Sequence, residues 1–286
     1  METKLRIAFQ KKGRLSEGSL KLLSDCGISL KNANGKLFSS ASNFPLEVLF
    51  LRDDDIPQYV VDGVTDTGIV GLNVILESGL PVDNMDLLGF SGCRMSLAIP
   101  KSVEYTDVNF FNGKKIATSY PEILKKYLKE KKIEAEIHVI SGSVEIATGI
   151  GLADAIFDIV SSGSTLVSNS LKEVEIVLKS EAVLVARKGL PDDKMKILND
   201  LLFRIRSVKQ AQNNKYILLN APNDKLDEIV QLLPGMKSPT ILPLADKNWS
   251  SLHSVVNEND FWNIISKLKE LGAQGILVVP IEKMIL

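Results

Sequence analysis

The sequence predicts an α/β fold with two lobes and a smaller domain at the carboxyl end. Over residues 1–212, short apolar runs rich in Val and Ile alternate with stretches of helical periodicity, an order typical of α/β domains. Beyond them the order changes to strand, helix, strand, strand, helix, strand, which is the ferredoxin-like arrangement. With 286 residues, the chain is long enough for two or three domains.

The first lobe is predicted from residues 1–92. Its predicted strands are LRIAF (5–9), LEVLFL (46–51) and TGIVG (67–71), and its predicted helices are residues 16–25, IPQYVVDG and LNVILESG. Gly27 is expected to close the first helix. Together these strands and helices make one α/β unit.

The second lobe is predicted from residues 93–181. It opens on the strand RMSLAI and continues through GKKIATS, a helix beginning at Pro121, the strand EIHVI, the helix SVEIATGIG and the strand ADAIFDIV. The second half of EVEIVLKSEAVLVARK (173–188) is expected to return the chain to the first lobe, which then comprises 1–92 and 182–212. Two lobes joined by crossing strands leave a cleft, a common place for a ligand.

The third domain is predicted from residues 213–286. Its strands and helices are KYILLNA, NDKLDEIVQLL, SPTILPLA, SSLHSVV, ENDFWNIISKLKELG and QGILVVPIEK. Because it has few candidate catalytic groups, we interpret it as a sensor or assembly module.

Composition excludes several classes of protein. The 34 basic and 35 acidic residues give no charge bias, so neither a nucleic acid nor a membrane is expected as a partner. Cys26, Cys93, His138 and His253 are isolated from one another in sequence, which argues against a disulfide framework or a zinc site. We find no signal peptide or apolar span, and expect a cytoplasmic protein.

The stretch DIVSSGSTL (158–166) is the strongest local signal. Alternation along ADAIFDIV would place Asp154 and Asp158 on one face near the carboxyl end of a strand. The small residues that follow let backbone N–H groups point outward before a helix, which suits a phosphate. Carboxylates suit ribose hydroxyls or Mg²⁺, so the stretch predicts a phosphorylated sugar, although it also fits a plain turn with Thr165 as N-cap.

Nearly the whole chain resembles the long form of the ATP phosphoribosyltransferase family. The resemblance lies in LRIAFQKKGRLSEGSLKLL, LRDDDIPQYVVDGVTDTGIVG, FSGCRMSLAIP, GKKIATSYPEILKKYL, ISGSVEIATGIGLADAIFDIVSSGSTL, SPTILPLA and LGAQGILVVPIEKM. It implies that N1 of the ATP adenine attacks C1 of phosphoribosyl pyrophosphate and releases pyrophosphate, with Mg²⁺ required. The ligands of the metal stay open.

The resemblance also implies roles for residues of the predicted cleft. A phosphoribosyl site is expected at Glu145, Asp158, Ser161, Ser162, Gly163, Ser164 and Thr165. Arg14 and Arg52 are expected to stabilise the departing pyrophosphate, because arginine forks suit phosphate oxygens. By default, Arg52 beside three aspartates is a solvated helix start.

Nucleotide contacts are expected from Lys11, Gly71 and Tyr120. The Tyr120 ring could stack on a purine, but a half-buried packing role would fit it equally well. Lys11 is by default a surface charge, and a glycine at a strand-to-helix turn, such as Gly71, is ordinary.

For the third domain, the resemblance implies histidine binding, as a feedback inhibitor, and assembly of hexamers from dimers. Asn220, Thr240, Ala273 and Gly275 are the candidate regulatory residues. Thr240 also fits a plain strand position, and Gly275 a plain turn. The alternative for the whole chain is a non-catalytic amino-acid-sensing or solute-binding protein, because the two predicted lobes resemble periplasmic solute-binding proteins.

Overall fold

The chain divides into two compact units, Met1–Leu198 and Asn199–Leu286. The structure is a computed structural model that describes residues 3–31 and 37–285. The strands of the first unit are β1 (Leu5–Gln10), β2 (Phe38–Ser40), β3 (Leu46–Leu51), β4 (Thr67–Gly71), β5 (Val82–Leu87), β6 (Cys93–Pro100), β7 (Lys115–Thr118), β8 (Glu136–Val139), β9 (Ala155–Val160), β10 (Leu171–Ser180) and β11 (Ala182–Arg187). Its helices are α1 (Arg14–Asp25), α2 (Ile56–Val61), α3 (Leu72–Ser78), α4 (Pro121–Lys131) and α5 (Ser164–Ser168), and α6 (Asp192–Gln212) continues into the second unit.

The first sheet has six strands in the order β2-β3-β1-β4-β11-β5. β1 pairs in parallel with β3 and β4, whereas β11 pairs antiparallel with β4 and β5. Ile7, Ala8 and Phe9 are consecutive and fully buried, so β1 is covered on both faces, as parallel strands usually are. Because β1, β3 and β4 run in the same direction, the residues that follow them meet at one edge of the sheet.

The second sheet has the order β10-β6-β9-β7-β8. β7 is parallel to β8 and β9, and β6 is antiparallel to β9 and β10. One face packs α4 over Met95, Leu97 and Phe157, and the other buries Ile156 and Val160 beneath the segments that contain α5 and residues 144–147. The carboxyl ends of β7 and β9 therefore form a second edge suited to a ligand.

Two crossings join the sheets, one from β5 to β6 and one from β10 to β11. They lie side by side, because Ser180 at the end of β10 pairs with Cys93 at the start of β6. β10 belongs to the second sheet and β11 to the first, so segment 173–188 carries the chain back to the first sheet.

One predicted helix is absent from the structure, and two of its strands were not predicted. The helix predicted for SVEIATGIG is wrong: only a 3-10 turn, Val144–Ile146, forms. Two glycines and several β-branched residues disfavour a helix here, and Gly151 adopts a left-handed φ of 73°. Strands β2 and β5 were not predicted, since neither shows a clear apolar alternation.

The second unit contains β12 (Asn214–Pro222), α7 (Leu226–Leu232), β13 (Thr240–Pro243), β14 (Trp249–Asn257), α8 (Glu258–Glu270) and β15 (Gln274–Pro280). Its antiparallel sheet has the order β13-β14-β12-β15. Alternate residues of β12 and β14, among them Leu219 and Leu252, pack against Ile229 of α7 and Leu268 of α8. The predicted ferredoxin-like arrangement is confirmed. Among the residues described, no helix is long and apolar enough to cross a membrane.

Candidate active site

Candidates from both lobes meet where Arg14 contacts Ser161. Arg14 opens α1 just beyond the carboxyl end of β1, and Ser161 directly follows β9 in the other sheet. Arg14 Nη1 donates a hydrogen bond to Ser161 Oγ over 2.7 Å. The edges formed by the carboxyl ends of β1 and β9 therefore adjoin at a shared cleft.

The loop Ser161–Thr165 turns tightly at Gly163. The φ of Gly163 is 80°, a left-handed value that glycine adopts without steric cost. Gly163 is also the N-cap of α5, so the structure does not give Thr165 that position. Ser162 Oγ and Ser164 Oγ lie 2.9 Å apart, within hydrogen-bonding distance. The loop thus concentrates hydroxyl groups at the end of β9.

A cavity of about 220 Å³ lies against this loop. Its polar lining comprises Arg14, Glu145, Asp158, Ser161, Ser162, Gly163 and Thr165. Burial raises the pKa of Asp158, and the charge of Glu145 raises it further. The N–H of Ile159, which donates to Asp158 Oδ1 over 2.7 Å, opposes this shift. One cation, two carboxylates and several hydroxyls therefore share a single cavity.

Asp154 does not join Asp158, so the prediction of two carboxylates projecting together from β9 is wrong. Asp154 precedes the strand, and its Oδ2 accepts a hydrogen bond from the backbone N–H of Lys115 over 2.9 Å. Four residues of extended chain separate the two aspartates by about 13 Å. The carboxylate that accompanies Asp158 is Glu145, from the 3-10 turn Val144–Ile146.

A second cavity, of about 260 Å³, adjoins the first and shares Arg14 with it. It is lined by residues of both lobes, among them Gln10, Gly13, Gly71, Asn73, Cys93 and Ser180. Burial raises the pKa of the Cys93 thiol. Asn73 and Ser180 are buried and joined by two hydrogen bonds, of 2.8 and 3.0 Å. The floor of the cleft is therefore fixed where the chain crosses between the sheets.

Tyr120 lines a third cavity, of about 270 Å³, together with Asp54, Val74, Glu77 and Ser119. Tyr120 is half-buried at the N-cap position of α4. Burial raises the pKa of its hydroxyl, and the charges of Asp158 and Asp54 raise it further. The ring therefore lies near carboxylates of both lobes.

Glu77 of α3 connects the two lobes beside Tyr120. Its carboxylate accepts hydrogen bonds from the backbone N–H groups of Glu122 and Ile123, over 2.9 and 3.0 Å. These N–H groups belong to the first turn of α4 and have no partner within the helix. A side chain of the first lobe thus caps a helix of the second, a contact that no local sequence pattern indicates.

Arg52 and Lys11 are exposed, and neither lines any of the three cavities described above. Arg52 is the N-cap of the 3-10 turn Asp53–Asp55. Its charge opposes the rise that burial causes in the pKa of Asp54. Both residues lie at the same sheet edge as Arg14, since they follow β3 and β1.

Arg94 and Glu173 form a network behind the loop. Arg94 Nη2 donates to Glu173 Oε2 over 2.6 Å, and Arg94 Nε donates to Glu173 Oε1. Arg94 Nη1 donates to the backbone carbonyl of Ser161 over 3.0 Å. The motif FSGCRMSLAIP contains Arg94 but indicates no role for it, and no sequence signal identifies Glu173.

In the second unit, the structure brings Asn220 and Gly275 together. Gly275 has a left-handed φ of 57°, and a Cβ there would lie 3.3 Å from Asn220 Nδ2. Ala273 is buried in the core of this unit. Thr240 is exposed on β13, at the opposite edge of the sheet from β15, so it does not join the other three candidates within the chain.

The described residues include no group of three or more His, Cys, Asp or Glu side chains able to hold a metal ion. Asp158 and Glu145 nevertheless offer two carboxylates to one cavity. Mg²⁺ commonly binds through one or two carboxylates together with substrate phosphates. This arrangement fits an ion that arrives with a phosphorylated substrate.

Comparisons with known proteins agree over both units. The ATP phosphoribosyltransferase family profile matches residues 52–207, and the profile of the HisG C-terminal domain matches residues 211–283. The chain is 61% identical over 285 residues to an ATP phosphoribosyltransferase of Cytophaga hutchinsonii, covering all of both chains. It is 60% identical over 281 residues to one of Bacteroides thetaiotaomicron, covering 98% of this chain and 99% of that one.

Solved structures resemble more than two thirds of the chain. The ATP phosphoribosyl transferase (HisG:HisZ) complex from Thermotoga maritima matches with a TM-score of 0.59 and 27% identity, over 71% of this chain and 98% of that one. A histidine kinase sensor domain similar to periplasmic binding proteins matches with a TM-score of 0.51 and 10% identity, over 72% and 90%, and shows the fold alone. The full-length identities and the carboxyl-terminal domain establish that this chain belongs to the long form of the ATP phosphoribosyltransferase family.

Proposed function

We propose that this ATP phosphoribosyltransferase binds phosphoribosyl pyrophosphate in the cleft where Arg14 meets Ser161, and ATP beside it. The enzyme catalyses the first step of histidine biosynthesis. The observation that carries the assignment of the site is the cavity shared by Arg14, Asp158 and the Ser161–Thr165 loop. It supports a site in which phosphate and ribose would bind next to the second cavity.

The loop Ser161–Thr165 would hold the 5-phosphate. Its hydroxyls and backbone N–H groups are donors, and Gly163 lets the backbone approach the phosphate closely. Asp158 and Glu145 would accept hydrogen bonds from the ribose hydroxyls. Such bonds favour the ionised carboxylate and so offset the burial that raises the pKa of Asp158.

Arg14 would face the diphosphate at C1. During the reaction, the lone pair of adenine N1 forms a bond to C1 while the bond from C1 to the diphosphate oxygen breaks with its electrons. Negative charge grows on the departing pyrophosphate, and the guanidinium of Arg14, which lines both cavities, would stabilise it. Arg52, exposed at the same sheet edge, is the second candidate for this contact.

The adenine would enter from the third cavity. Tyr120 supplies an aromatic face and Gly71 leaves room for the base, while exposed Lys11 is a candidate for the triphosphate. The adenine N1 already carries a free lone pair, so attack needs no general base. The proton later lost from the exocyclic amine can pass to water.

Mg²⁺ is the metal we propose, held by the diphosphate and by Asp158 or Glu145. When bound, it neutralises charge on the diphosphate and helps it depart. The side chains described above orient the ribose and position its anomeric carbon.

The second unit would bind histidine as an inhibitor and join dimers into hexamers. Asn220, Thr240, Ala273 and Gly275 are the proposed contacts. Since Thr240 and Gly275 lie on opposite edges of the sheet, one histidine would reach both only where two copies of the unit meet. We place the enzyme in the cytoplasm, where ATP is available.

The test is formation of phosphoribosyl-ATP by the purified chain from ATP, phosphoribosyl pyrophosphate and Mg²⁺. The Thr165→Val variant keeps the side-chain shape but loses the hydroxyl. It is expected to raise the KM for phosphoribosyl pyrophosphate about tenfold, a hydrogen bond to a charged group contributing about 1.5 kcal/mol. The KM for ATP should stay within twofold. An unchanged KM for phosphoribosyl pyrophosphate would refute the placement of the phosphate.

A further inference from the structure

Arg94 and Glu173 form a charged pair adjacent to the cleft, yet neither lines any of the three cavities described above. Two N–H groups of Arg94 meet both oxygens of Glu173, and Ser96 Oγ donates to Glu173 Oε1 over 2.6 Å. The side chains are 30% and 23% exposed. Bidentate pairing fixes the plane of the guanidinium group. Glu173 therefore holds the guanidinium of Arg94 in a fixed orientation.

The oriented guanidinium contacts Ser161, the first residue of the Ser161–Thr165 loop. The third nitrogen of the fork, Nη1, donates to the carbonyl of Ser161. The hydroxyl of Ser161 receives the hydrogen bond from Arg14. Two arginines from different lobes thus fix the backbone and the side chain of Ser161.

We infer that Arg94 and Glu173 are positioning residues for phosphoribosyl pyrophosphate, which act by fixing the peptide at Ser161 so that the loop is formed before the phosphate arrives. The inference rests on the proposed role of the loop. A loop already held in its bound conformation binds more tightly, because less conformational entropy is lost on binding. Disruption of the pair should therefore weaken binding of this substrate and leave that of ATP unaffected.

The electrostatics agree with a pair that stays charged. Arg94 lowers the pKa of Glu173 through their hydrogen bonds, and Glu173 raises that of Arg94. Glu173 is consequently ionised throughout the neutral range. Titration of Glu173 should not alter substrate binding at neutral pH.

The same strand supplies a matched control in Glu175. A bulge lies between Glu173 and Glu175, which places them on opposite faces of β10. Glu175 accepts hydrogen bonds from the hydroxyls of Tyr105 and Tyr127, on the face that packs α4. The two glutamates share a strand and a type of bonding, but only Glu173 is connected to the loop.

The experiment compares Glu173→Gln with Glu175→Gln in the full-length enzyme. Glu173→Gln is expected to raise the KM for phosphoribosyl pyrophosphate about tenfold, with kcat and the KM for ATP within twofold of the parent. Glu175→Gln should leave all three unchanged. Arg94→Lys, which keeps the charge but not the fork, should fall between Glu173→Gln and the parent. Calorimetric binding of phosphoribosyl pyrophosphate without ATP should show the same order.

The possible results separate this inference from the proposed function. If Thr165→Val raises the KM and Glu173→Gln does not, the positioning role is wrong while the phosphate site stands. If Thr165→Val has no effect either, the phosphate site and the positioning role both fall. Equal losses in Glu173→Gln and Glu175→Gln would mean a general structural role and overturn the inference. Should Glu173→Gln fail to fold, Ser96→Ala removes one supporting hydrogen bond and should still raise this KM two- to threefold.

Discussion

Arg14 and Ser161 are joined by a 2.7 Å hydrogen bond across the two lobes, so the guanidinium proposed to face the diphosphate also contacts the loop proposed to hold the 5-phosphate. The proposed substrate contact and the contact between the lobes therefore share one side chain. The same guanidinium lines both the cavity of about 220 Å³ against the loop and the adjoining second cavity of about 260 Å³.

Replacing Arg14 by Gln should lower kcat by two to three orders of magnitude, because it removes a charge aimed where negative charge develops. Steady-state kinetics would measure the loss. Lys12→Gln, two residues earlier and exposed, removes a charge of the same sign and should retain full activity. A loss of less than threefold in Arg14→Gln would contradict the assignment.

Asp158→Asn should remove most of the activity and yet raise the melting temperature. Burial raises the pKa of Asp158 above its ordinary value of 3.8, so near pH 7 the charged form costs stability. The folded state binds more protons than the unfolded state between the two pKa values, and stability falls as pH rises through the folded pKa. The gain in thermal stability should therefore vanish below about pH 3.8. A melting temperature below that of the parent at pH 7 would refute this account.

The pH profile of kcat/KM for phosphoribosyl pyrophosphate should report Asp158. Because its pKa is raised in the free enzyme, the acidic limb should lie above that of an ordinary aspartate. Glu145→Gln removes a neighbouring negative charge, so the limb should move to lower pH even as the maximum falls. A limb that stays in place would show that Glu145 does not act on Asp158.

Glu77→Ala should destabilise the first unit by about 1 kcal/mol, since two N–H groups at the start of α4 lose their acceptor. Thermal or urea unfolding would measure the change. Glu77→Gln keeps one acceptor and should lose less. As a control, Glu122→Gln removes only the exposed ion pair with Lys125 and should change stability by less than about 0.5 kcal/mol.

Thr240→Ala should weaken histidine inhibition about tenfold and leave kcat unchanged. Thr240 lies on an exposed strand of the second unit, so its hydroxyl can be removed without disturbing a core. Inhibition curves at fixed substrate would show the shift. Ser238→Ala, at an exposed neighbouring position, is the control and should be inhibited by histidine as strongly as the parent. A parallel loss of catalysis in Thr240→Ala would point to a structural role.

The sequence predicted those parts of the candidate site and of the fold that depend on residues close together in the chain. The loop of small residues after β9 follows from strand pattern and composition, and Gly163 adopts the left-handed turn that only such a residue tolerates easily. The strand order of the second unit follows from the succession of its elements. In both cases, neighbouring residues along the chain determine the result.

Contacts between distant residues were not predictable in this way. Arg94 and Glu173 are 79 positions apart, and Glu77 and Ile123 are 46 apart. Their meeting depends on strand register, on a bulge in β10 and on how the lobes close. Alternation along the strand likewise did not predict the carboxylate that accompanies Asp158. It comes from a 3-10 turn, which forms because glycines and β-branched residues disfavour the expected helix.

The position of β11 has a consequence for how the chain is made. β11 lies between β4 and β5, so the first sheet cannot be completed until the ribosome has translated residue 187, whereas the strands of the second sheet all lie within 93–180. Until then, β4 and β5 each expose an unpaired edge, the kind of surface that aggregates or recruits chaperones. The second lobe, although later in the chain, is therefore the first for which every strand is available to the emerging polypeptide.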